Sequence, residues 1–580
     1  MSKKLMLGNA AVARGAYEAG VRVVSSYPGT PSTEITENIV QYPEINVEWA
    51  PNEKVAAEVA IGASIAGCRA MTCCKHVGLN VMADPFFTAS YTGVNAGLVI
   101  AVADDPGMHS SQNEQDSRHY AKAAKLPMLE PSDSSECLSY TKLAYQLSEQ
   151  FDTPVMLRLS TRISHSQNPV ELSEREEIPV KPYEKDIPKY VMMPAMAVKK
   201  HVVVEQRQRD LVAYAETSPL NAIEDNGSRI GVIVSGTTHL YAHEALGNAV
   251  NYLKLGMVYP LPEQKIKAFA ASVDVLWVIE ELDPFIEEHC NNIGVKVKGK
   301  EYFSLLGEYT PAMIRTAVLD QPNPAFVSLE ETVPNRPPVM CAGCPNRGTF
   351  YVLKKLGLTV SGVIGCYTLG AVAPLASVDT TICMGASVSA AFGMAKVQGA
   401  DFNKKLVSVI GDSTFIHSGI TGLIDIVYNK GANTVIVLDN SITGMTGHQQ
   451  NPAMGKTIRG EDTRAVDLIA LCHAVGVQRV RVADPFDLKT FEAVVREEVA
   501  ADEPSVIIAQ RPCALLKYVK YTGCCEITDQ CKKCKLCMKL GCPAISVESD
   551  GSVKIDATQC NGCGLCIGVC PFSAIQKKED

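Results

Sequence analysis

The chain has 580 residues, of which 46% are hydrophobic and 20% charged, and its 54 Lys and Arg against 63 Asp and Glu give a formal charge of −9. This composition excludes a disordered or collagen-like chain, and the mildly acidic balance makes non-specific nucleic-acid binding a poor candidate function. At about 150 residues per domain, the length predicts three to four domains. Cysteine is the unusual feature, because eight of the 21 cysteines lie between Cys531 and Cys570.

The N-terminal residues do not resemble a secretory signal, since the apolar run after two lysines stops at Gly8. No apolar stretch reaches the about 18 residues that would suggest a membrane span. The longest candidate, residues 94–102, is followed by Asp104 and is typical of a buried strand. We therefore expect a cytoplasmic protein with no membrane segment, whose cysteines stay reduced and serve metal or redox chemistry.

The predicted elements divide the chain into four domains and one linker. Short apolar runs that alternate with helical stretches predict parallel α/β units over residues 1–166, 229–332 and 333–516, and residues 167–228 form a polar linker with some helix. A Pro-rich segment at 333–339 marks the last boundary between the α/β units. A small cysteine-dominated domain occupies residues 522–580. The predicted fold class is thus α/β, with three parallel α/β domains and a small C-terminal α+β domain.

The strands that support this division are short and apolar. In the first unit, a helix over residues 53–66 begins after Asn52, a favourable N-cap residue. The predicted strands, in chain order, cover residues 21–25, 47–50, 97–103, 154–159, 230–235, 275–280, 406–410, 434–439 and 505–509.

The C-terminal cysteines form two motifs of the C-x2-C-x2-C type, each followed by a fourth cysteine before proline. In two-cluster ferredoxins the fourth ligand of each iron–sulfur cluster comes from the other motif. This crossover predicts two 4Fe-4S ligand sets, one of Cys531, Cys534, Cys537 and Cys570, and one of Cys560, Cys563, Cys566 and Cys542. The domain resembles a bacterial two-cluster ferredoxin. It departs from that pattern by one extra residue before Cys542, and a zinc-binding domain is the alternative.

Polar residues also follow two neighbouring strands of the third α/β unit. Asp412 comes directly after strand 406–410, and Asn440 follows strand 434–439. Ligands bind at the carboxyl ends of parallel strands, and Mg²⁺ takes oxygen ligands in octahedral geometry. The Asp412 carboxylate, the Asn440 amide oxygen and the Ile442 carbonyl would supply three of them. Gly411 would let the backbone approach phosphate oxygens at a helix start.

This Gly-Asp and Asn pattern resembles the motif that binds thiamin diphosphate and Mg²⁺. The usual Gly or Ala after Gly-Asp is Ser413 here, and an unrelated turn at the end of a strand is the alternative. A Thr-Gly-His-Gln segment that begins at Thr446 is similar to a segment of the 2-oxoacid:ferredoxin oxidoreductases. By this resemblance, the cofactor-binding residues are Gly411, Asp412, Ser413, Asn440, Ile442, Thr446, Gly447 and Glu53.

The resemblance to this family also assigns candidate catalytic residues in the first unit. Glu53, at a predicted helix start, would contact the aminopyrimidine ring of the cofactor, although an exposed first-turn Glu is the alternative. Thr30, in the sequence Tyr-Pro-Gly-Thr-Pro-Ser, and Arg118, after a polar loop, would hold the substrate carboxylate. His76 lies where the family has another active-site loop.

The domain order and two further motifs resemble the larger subunit of the branch that acts on aryl 2-oxo acids such as indolepyruvate. The motifs are Ser-Ser-Gln-Asn-Glu-Gln from Ser110 and Cys-Ala-Gly-Cys-Pro-Asn-Arg from Cys341. The resemblance implies oxidative decarboxylation with coenzyme A and ferredoxin, and a smaller β subunit in an α2β2 assembly. Pyruvate or a branched-chain 2-oxo acid remains an alternative substrate, and so does a subunit whose thiamin site is inactive.

Two cysteines outside the last domain leave a further question open. In pyruvate-type relatives a C-x2-C at the position of Cys341 and Cys344 helps to hold a third cluster. Cys366 is the candidate third ligand, and Cys383 or Cys513 the fourth. The alternative is that all of these are ordinary thiols.

Overall fold

The computed structural model describes residues 3–321, 333 and 337–578. The chain forms two compact units, Met1–Glu330 and Glu331–Asp580. Three residues of the Pro-rich segment predicted as a boundary, 334–336, lie outside the described residues, as do residues 322–332 before it. None of the described helices is both long and apolar enough to cross a membrane.

The first unit begins with alternating strands and helices. Its strands are β1 Lys3–Leu7, β2 Val23–Ser26, β3 Asn46–Trp49, β4 Ala70–Lys75, β5 Leu98–Asp104, β6 Met128–Leu129, β7 Val155–Ser160 and β8 Gln167–Glu171. Its helices are α1 Gly8–Glu18, α2 Thr33–Ile39, α3 Glu53–Ile65, α4 His76–Val81, α5 Ala83–Thr92, α6 Arg118–Ala124, α7 Ser134–Phe151 and α8 Thr161–His165.

The rest of the first unit adds a second, smaller sheet. Its strands are β9 Asn221–Glu224, β10 Ile230–Val234, β11 Asn251–Leu255, β12 Met257–Tyr259 and β13 Val275–Ile279. Its helices are α9 Ile187–Tyr190, α10 Pro194–Thr217, α11 Gly236–Leu246, α12 Glu263–Ala271, α13 Phe285–Asn292 and α14 Pro311–Leu319.

The larger sheet has the order β12-β6-β7-β5-β4-β2-β3, and all its neighbours are parallel except β12 and β6. Strand β5 is buried at every position, as expected for a strand covered by helices on both faces. The chain direction across the sheet reverses at β2, since β3 lies on one side of it and β4 on the other. Such a switch point forms a crevice outside the carboxyl ends of the strands, which is where α/β proteins bind ligands.

The stretch predicted as a linker is more structured than the sequence suggested. It contains the 24-residue helix α10, and β8 pairs antiparallel with β1. Strand β9 forms the edge of the smaller sheet, whose order is β13-β10-β11-β9. Strand β12, which belongs to the predicted second α/β unit, joins the larger sheet instead. A strand from the predicted second α/β unit thus belongs to the larger sheet, and buried side chains of both sheets lie in one core cluster.

The second unit contains a six-stranded sheet that is parallel throughout, with the order β15-β14-β16-β17-β19-β18. Its strands are β14 Thr359–Gly362, β15 Thr380–Thr381, β16 Leu406–Gly411, β17 Thr434–Asp439, β18 Arg479–Ala483 and β19 Ser505–Gln510. Its helices are α15 Asn346–Leu356, α16 Ala386–Gln398, α17 Ala400–Asn403, α18 Asp412–Thr414, α19 Ile420–Tyr428, α20 Leu468–Ala474 and α21 Leu488–Val499. The switch point lies between β14 and β16.

The last part of the chain is small and built from two similar halves. Strands β20 Cys524–Ile527 and β23 Ile575–Lys578 form one antiparallel pair, and β21 Ile545–Val547 and β22 Val553–Ile555 form another. Two short 3₁₀ helices, Leu536–Leu540 and Ile567–Val569, follow the cysteine motifs. Every strand predicted from the sequence is present within two residues of its expected bounds, and the predicted fold class is confirmed.

Candidate functional site

Glu53 lies at the carboxyl edge of the seven-stranded sheet, directly after β3. The side chain of Asn52 accepts a hydrogen bond from the backbone N–H of Val55 at 2.9 Å, so the predicted N-cap starts helix α3 at Glu53. Glu53 is only 4% exposed. A Cβ atom at Gly78 would lie 2.6 Å from the Glu53 Oε1, so the glycine makes room for this carboxyl group. The alternative of an exposed first-turn glutamate is therefore wrong.

The loop that carries Thr30 follows β2, the neighbour of β3 in the sheet. The Ser32 hydroxyl donates to the Gly29 carbonyl at 2.8 Å, and the Asn9 amide donates to the Pro31 carbonyl at 2.7 Å. These bonds fix the loop on both sides of Thr30, which is half-buried. The loop packs on the end of β4, because a Cβ at Gly29 would lie 3.1 Å from Cγ of Lys75.

Lys75 and His76 end β4 at the same edge. The Lys75 ammonium donates to the Ser110 carbonyl at 2.7 Å, and burial lowers the pKa of Lys75 to about 8. His76 is 1% exposed, and its Nε2 lies 3.2 Å from the Asn113 carbonyl. Burial lowers the pKa of His76, and its Nδ1 has no hydrogen-bond partner among the described residues. The polar loop before α6 thus folds over the end of β4.

Arg118 lies in a buried ion-pair network. It is 1% exposed, and its guanidinium donates to the carboxylates of Asp116 and Glu280 and to the Glu281 and Asp283 carbonyls. Each guanidinium nitrogen is engaged within the protein, and the neighbouring carboxylates hold the pKa of Arg118 above its ordinary value despite its burial. Arg118 thus joins the two sheets of the first unit through ion pairs, and its role in binding a substrate carboxylate stays a prediction.

The predicted Mg²⁺ ligands lie together at the carboxyl edge of the six-stranded sheet. Asp412 and Asn440 follow β16 and β17, which are direct neighbours. Asp412 is 2% exposed, and burial raises its pKa to about 7, with a further contribution from the nearby Asp439. An ionised acid buried beside a second acid is stabilised by a nearby cation, and carboxylate and amide oxygens suit Mg²⁺. The donor set therefore fits this ion.

The loops around Asp412 add residues that the sequence did not reveal. The Asn451 amide donates to the Asp412 carboxylate at 3.3 Å. A Cβ at Gly411 would lie 2.6 Å from the Tyr367 ring, so any larger residue at this position would clash with that ring. No motif singled out Asn451, whereas Asp439 stands beside Asn440 in the sequence and could have been found as a second acid at the strand end.

The other predicted cofactor residues lie in the same region. Ser413 is 6% exposed and follows Asp412 into the helix. The backbone N–H of Ile442 donates to the Asn440 side chain at 3.2 Å. Thr446 donates to the Gln449 side chain at 2.5 Å, and Gln449 donates back to the Thr446 carbonyl, with Gly447 at a positive φ of 122° between them. The segment therefore forms a tight turn after the Asn440 loop.

The eight C-terminal cysteines line two separate cavities in the grouping that crossover predicts. The first cavity is lined by Cys531, Cys534, Cys537 and Cys570. The second is lined by Cys542, Cys560, Cys563 and Cys566. The extra residue before Cys542 does not move that thiol away from the second cavity. Four thiols around each cavity are the donor set of an iron–sulfur cluster.

Four further cysteines of the second unit influence one another electrostatically. Burial raises the pKa of Cys344 to about 12, and the neighbouring thiols of Cys341 and Cys366 add to the shift. Burial likewise raises the pKa of Cys366 to about 11, with Cys513 and Cys341 nearby. Cys383 is exposed, and it is not among the thiols that influence the pKa of Cys344 or Cys366. Of the two fourth-ligand candidates, Cys513 is therefore the one near the others.

Comparison with known families agrees with this arrangement of sites. Residues 14–230 match the model described as "Pyruvate flavodoxin/ferredoxin oxidoreductase, thiamine diP-bdg", and residues 363–509 match "Thiamine pyrophosphate enzyme, C-terminal TPP binding domain". Residues 553–576 match "4Fe-4S binding domain". The protein is thus a thiamin diphosphate-dependent 2-oxoacid oxidoreductase with an iron–sulfur domain.

Full-length relatives define the family more closely. The chain is 39% identical to indolepyruvate oxidoreductase subunit IorA of Archaeoglobus fulgidus, over 99% of this chain and 97% of the relative. It is 37% identical to the same subunit of Pyrococcus horikoshii, over 100% and 97%. A 2-oxoglutarate synthase subunit KorA of Methanocaldococcus jannaschii is 26% identical over 47% of this chain and 87% of its own length. The chain belongs to the family of indolepyruvate oxidoreductase subunit IorA.

Proposed function

We propose that this chain is the catalytic subunit of an enzyme that oxidatively decarboxylates aryl 2-oxo acids such as indolepyruvate. Coenzyme A accepts the acyl group and ferredoxin accepts two electrons, which gives an arylacetyl-CoA and CO₂. One observation carries the proposal. This chain has a buried glutamate at the carboxyl edge of one large sheet, a buried aspartate at the carboxyl edge of the other, and two cavities lined by the cysteines of the ferredoxin-like motifs. Similarity to IorA over nearly its whole length supports the choice of substrate class.

Glu53 and the Asp412 region have different tasks in this proposal. Asp412, Asn440 and the Ile442 carbonyl would hold Mg²⁺ against the cofactor diphosphate, with Ser413, Thr446 and Gly447 in the surrounding loops. Glu53 would hold a proton at the aminopyrimidine ring, in a setting from which bulk water is largely excluded by Gly78 and the end of β4. When bound, thiamin diphosphate supplies the carbon nucleophile and the electron sink for decarboxylation.

Thr30 and Lys75 are the proposed ligands of the substrate carboxylate, in addition to Arg118. Lys75 is added to this role because it lies at the carboxyl edge against the Thr30 loop and is mostly cationic below its pKa of about 8. The buried and unpartnered Nδ1 of His76 is a further polar atom that a substrate carbonyl would satisfy.

Electron transfer and acyl transfer would involve other groups. The two cysteine sets would each hold a 4Fe-4S cluster, so that two electrons leave one at a time toward ferredoxin. A smaller β subunit in an α2β2 assembly would complete the enzyme, in keeping with the word subunit in the relatives' names. A cytoplasmic location remains a prediction.

Turnover by the anaerobically purified α/β complex with methyl viologen as acceptor tests the proposal. We expect a higher kcat/KM for indolepyruvate than for pyruvate, 2-oxoglutarate or a branched-chain 2-oxo acid. An equal or better rate with pyruvate would overturn the substrate assignment. Absence of coenzyme A-dependent turnover with every 2-oxo acid, in a complex that contains thiamin and iron, would overturn the proposed reaction.

A further inference from the structure

A fifth cysteine lies at the second cysteine cavity. Cys525, on strand β20, is 3% exposed and lines this cavity together with Cys542, Cys560, Cys563 and Cys566. Among the described residues, the first cavity is lined by its four expected cysteines and by no other cysteine. The two sites therefore differ by one thiol.

The internal duplication of the domain identifies the residue that corresponds to Cys525. Strand β20 precedes the first cysteine motif, with Ile527 at the first cavity and Cys525 at the second. Strand β22 precedes the second motif, with Ile555 at the second cavity and Val553 at the first. Residues two apart on a strand share a face, so Cys525 and Val553 occupy corresponding positions. The second cavity thus has the thiol of Cys525 at the position where the first cavity has the isopropyl group of Val553.

Cys525 lies among the expected ligands of the second cluster. Its backbone N–H donates to Sγ of Cys560 at 3.3 Å. Its side chain lines the second cavity together with Cys560, Cys563 and Cys566. The Cys525 thiol is therefore a neighbour of the sulfurs that would bind this cluster.

The fourth ligand of the second site is already supplied by Cys542. The Arg347 guanidinium donates to the Leu540 carbonyl at 2.7 Å and also to the Gly541 carbonyl, which fixes the chain directly before Cys542. Arg347 also lines the second cavity. With four other thiols available as ligands, the Cys525 thiol is not needed to bind iron at this site.

We infer that Cys525 is a positioning residue whose thiol donates a hydrogen bond to a ligand sulfur of the second cluster and raises the midpoint potential of that cluster. Hydrogen bonds to cluster sulfurs are among the factors that set these potentials, since a donor stabilises the extra negative charge of the reduced state. The inference rests on the proposed function, because it requires two clusters in this domain.

The location of the second cavity indicates how a higher midpoint potential would serve electron transfer. Gly343 and Arg347, which precede the six-stranded sheet, line the second cavity, and the Asn561 side chain donates to the Ala342 carbonyl at 3.1 Å. The first cavity has no lining residue from that region among the described residues. The second cluster would therefore be the one beside the diphosphate-binding region, where a higher potential increases the driving force for accepting each electron.

Redox titration of the anaerobically purified α/β complex, followed by electron paramagnetic resonance, tests the inference. The variant is Cys525→Val, which copies the residue at the corresponding position. We expect unchanged iron and sulfide content and a lower midpoint potential for the second cluster alone. The control is Cys524→Ser, which changes the neighbouring thiol that does not line either cavity. The reciprocal variant, Val553→Cys, should raise the potential of the first cluster.

The possible outcomes separate this inference from the proposed function. A wild-type complex with fewer than two cluster signals would contradict the two-cluster proposal itself. Two signals whose potentials stay unchanged in Cys525→Val would overturn only the role of Cys525. Loss of iron in Cys525→Val would also overturn it, because Cys525 would then be a ligand. The Cys534→Ser variant, at the exposed ligand of the first site, assigns the two signals.

Discussion

The two large sheets each present a buried acid at their carboxyl edge, yet the charges around the two acids are opposite. At the carboxyl edge of the seven-stranded sheet, the first edge, Asp105 and Glu53 both raise the pKa of Lys75 against the effect of burial. At the carboxyl edge of the six-stranded sheet, the second edge, Asp412 lies near Asp439, a second acid that raises its pKa further. The first edge thus contains its own cation, whereas Asp412 and Asp439 lie beside each other. In the proposed function, this difference would separate a proton-handling site from a Mg²⁺ and diphosphate site.

The largest expected effect comes from removing the acid of the first edge. Glu53→Gln keeps the shape of the side chain and removes its ability to hold a proton at the aminopyrimidine. We expect kcat to fall by roughly 10²–10⁴-fold, the usual contribution of a positioned acid or base. Thiamin diphosphate content, measured after gel filtration, should stay at the wild-type level. Unchanged turnover in the α/β complex would mean that this chain's thiamin site is not the catalytic one.

The matched variant at the second edge sharpens the comparison. Asp412→Asn should also lower turnover, but by loss of bound thiamin diphosphate rather than by loss of a proton carrier. If both variants lost the cofactor to the same extent, the division of tasks between the two edges would be contradicted.

The second largest effect concerns Arg118, and it is an effect on stability. Removing one partner of a buried ion-pair network leaves uncompensated charges and costs about 3–5 kcal/mol. Arg118→Met should lower the free energy of unfolding by about this amount, measured by denaturant titration. Arg229→Met, which removes a surface ion pair with Asp274, is the control and should have a far smaller effect on stability. Equal small effects would favour the predicted role of Arg118 as a substrate ligand over a structural one.

Arg118 also shows which contacts could not be predicted from local patterns in the sequence. The strands, the Asn52 cap and the cysteine grouping depend on local patterns, such as apolar runs, a capping residue and fixed spacing, and these were predicted correctly. Asp116 is two residues from Arg118 in sequence, but the other partners, Glu280, Glu281 and Asp283, lie more than 160 residues away, so no local pattern reveals them. The same reason explains why the pairing of β12 with β6 and the contact of Asn451 with Asp412 were missed.

A smaller effect is expected at Lys75, the cation of the first edge. A charge-assisted hydrogen bond contributes about 1.5–3 kcal/mol, so Lys75→Met should raise KM for the 2-oxo acid by roughly 10–100-fold. Lys199→Met, at an exposed lysine of helix α10, is the control. Steady-state kinetics with saturating coenzyme A measure the change. A fall in kcat with unchanged KM would place Lys75 at the cofactor rather than at the substrate carboxylate.

The smallest effect is the pH dependence of Mg²⁺ binding at the second edge. Burial raises the pKa of Asp412 to about 7 from an ordinary value of 3.8, so protons compete with the metal in the range between them. In the metal-free protein the protonated acid is the favoured form, and its contribution to stability is therefore present at low pH and lost as the pH rises toward about 7. Mg²⁺ bound to the carboxylate removes that loss.

Isothermal titration of the α/β complex with Mg²⁺ and thiamin diphosphate measures this competition. Below a pH of about 7, the affinity for Mg²⁺ should fall by up to about tenfold for each pH unit, because one proton must leave for the metal to bind. The Asp412→Asn variant should bind weakly at every pH and lose this slope. A slope that persists in the variant would assign the proton to another group, such as the neighbouring Asp439, and the second edge would then depend on a different acid from the one that its motif indicates.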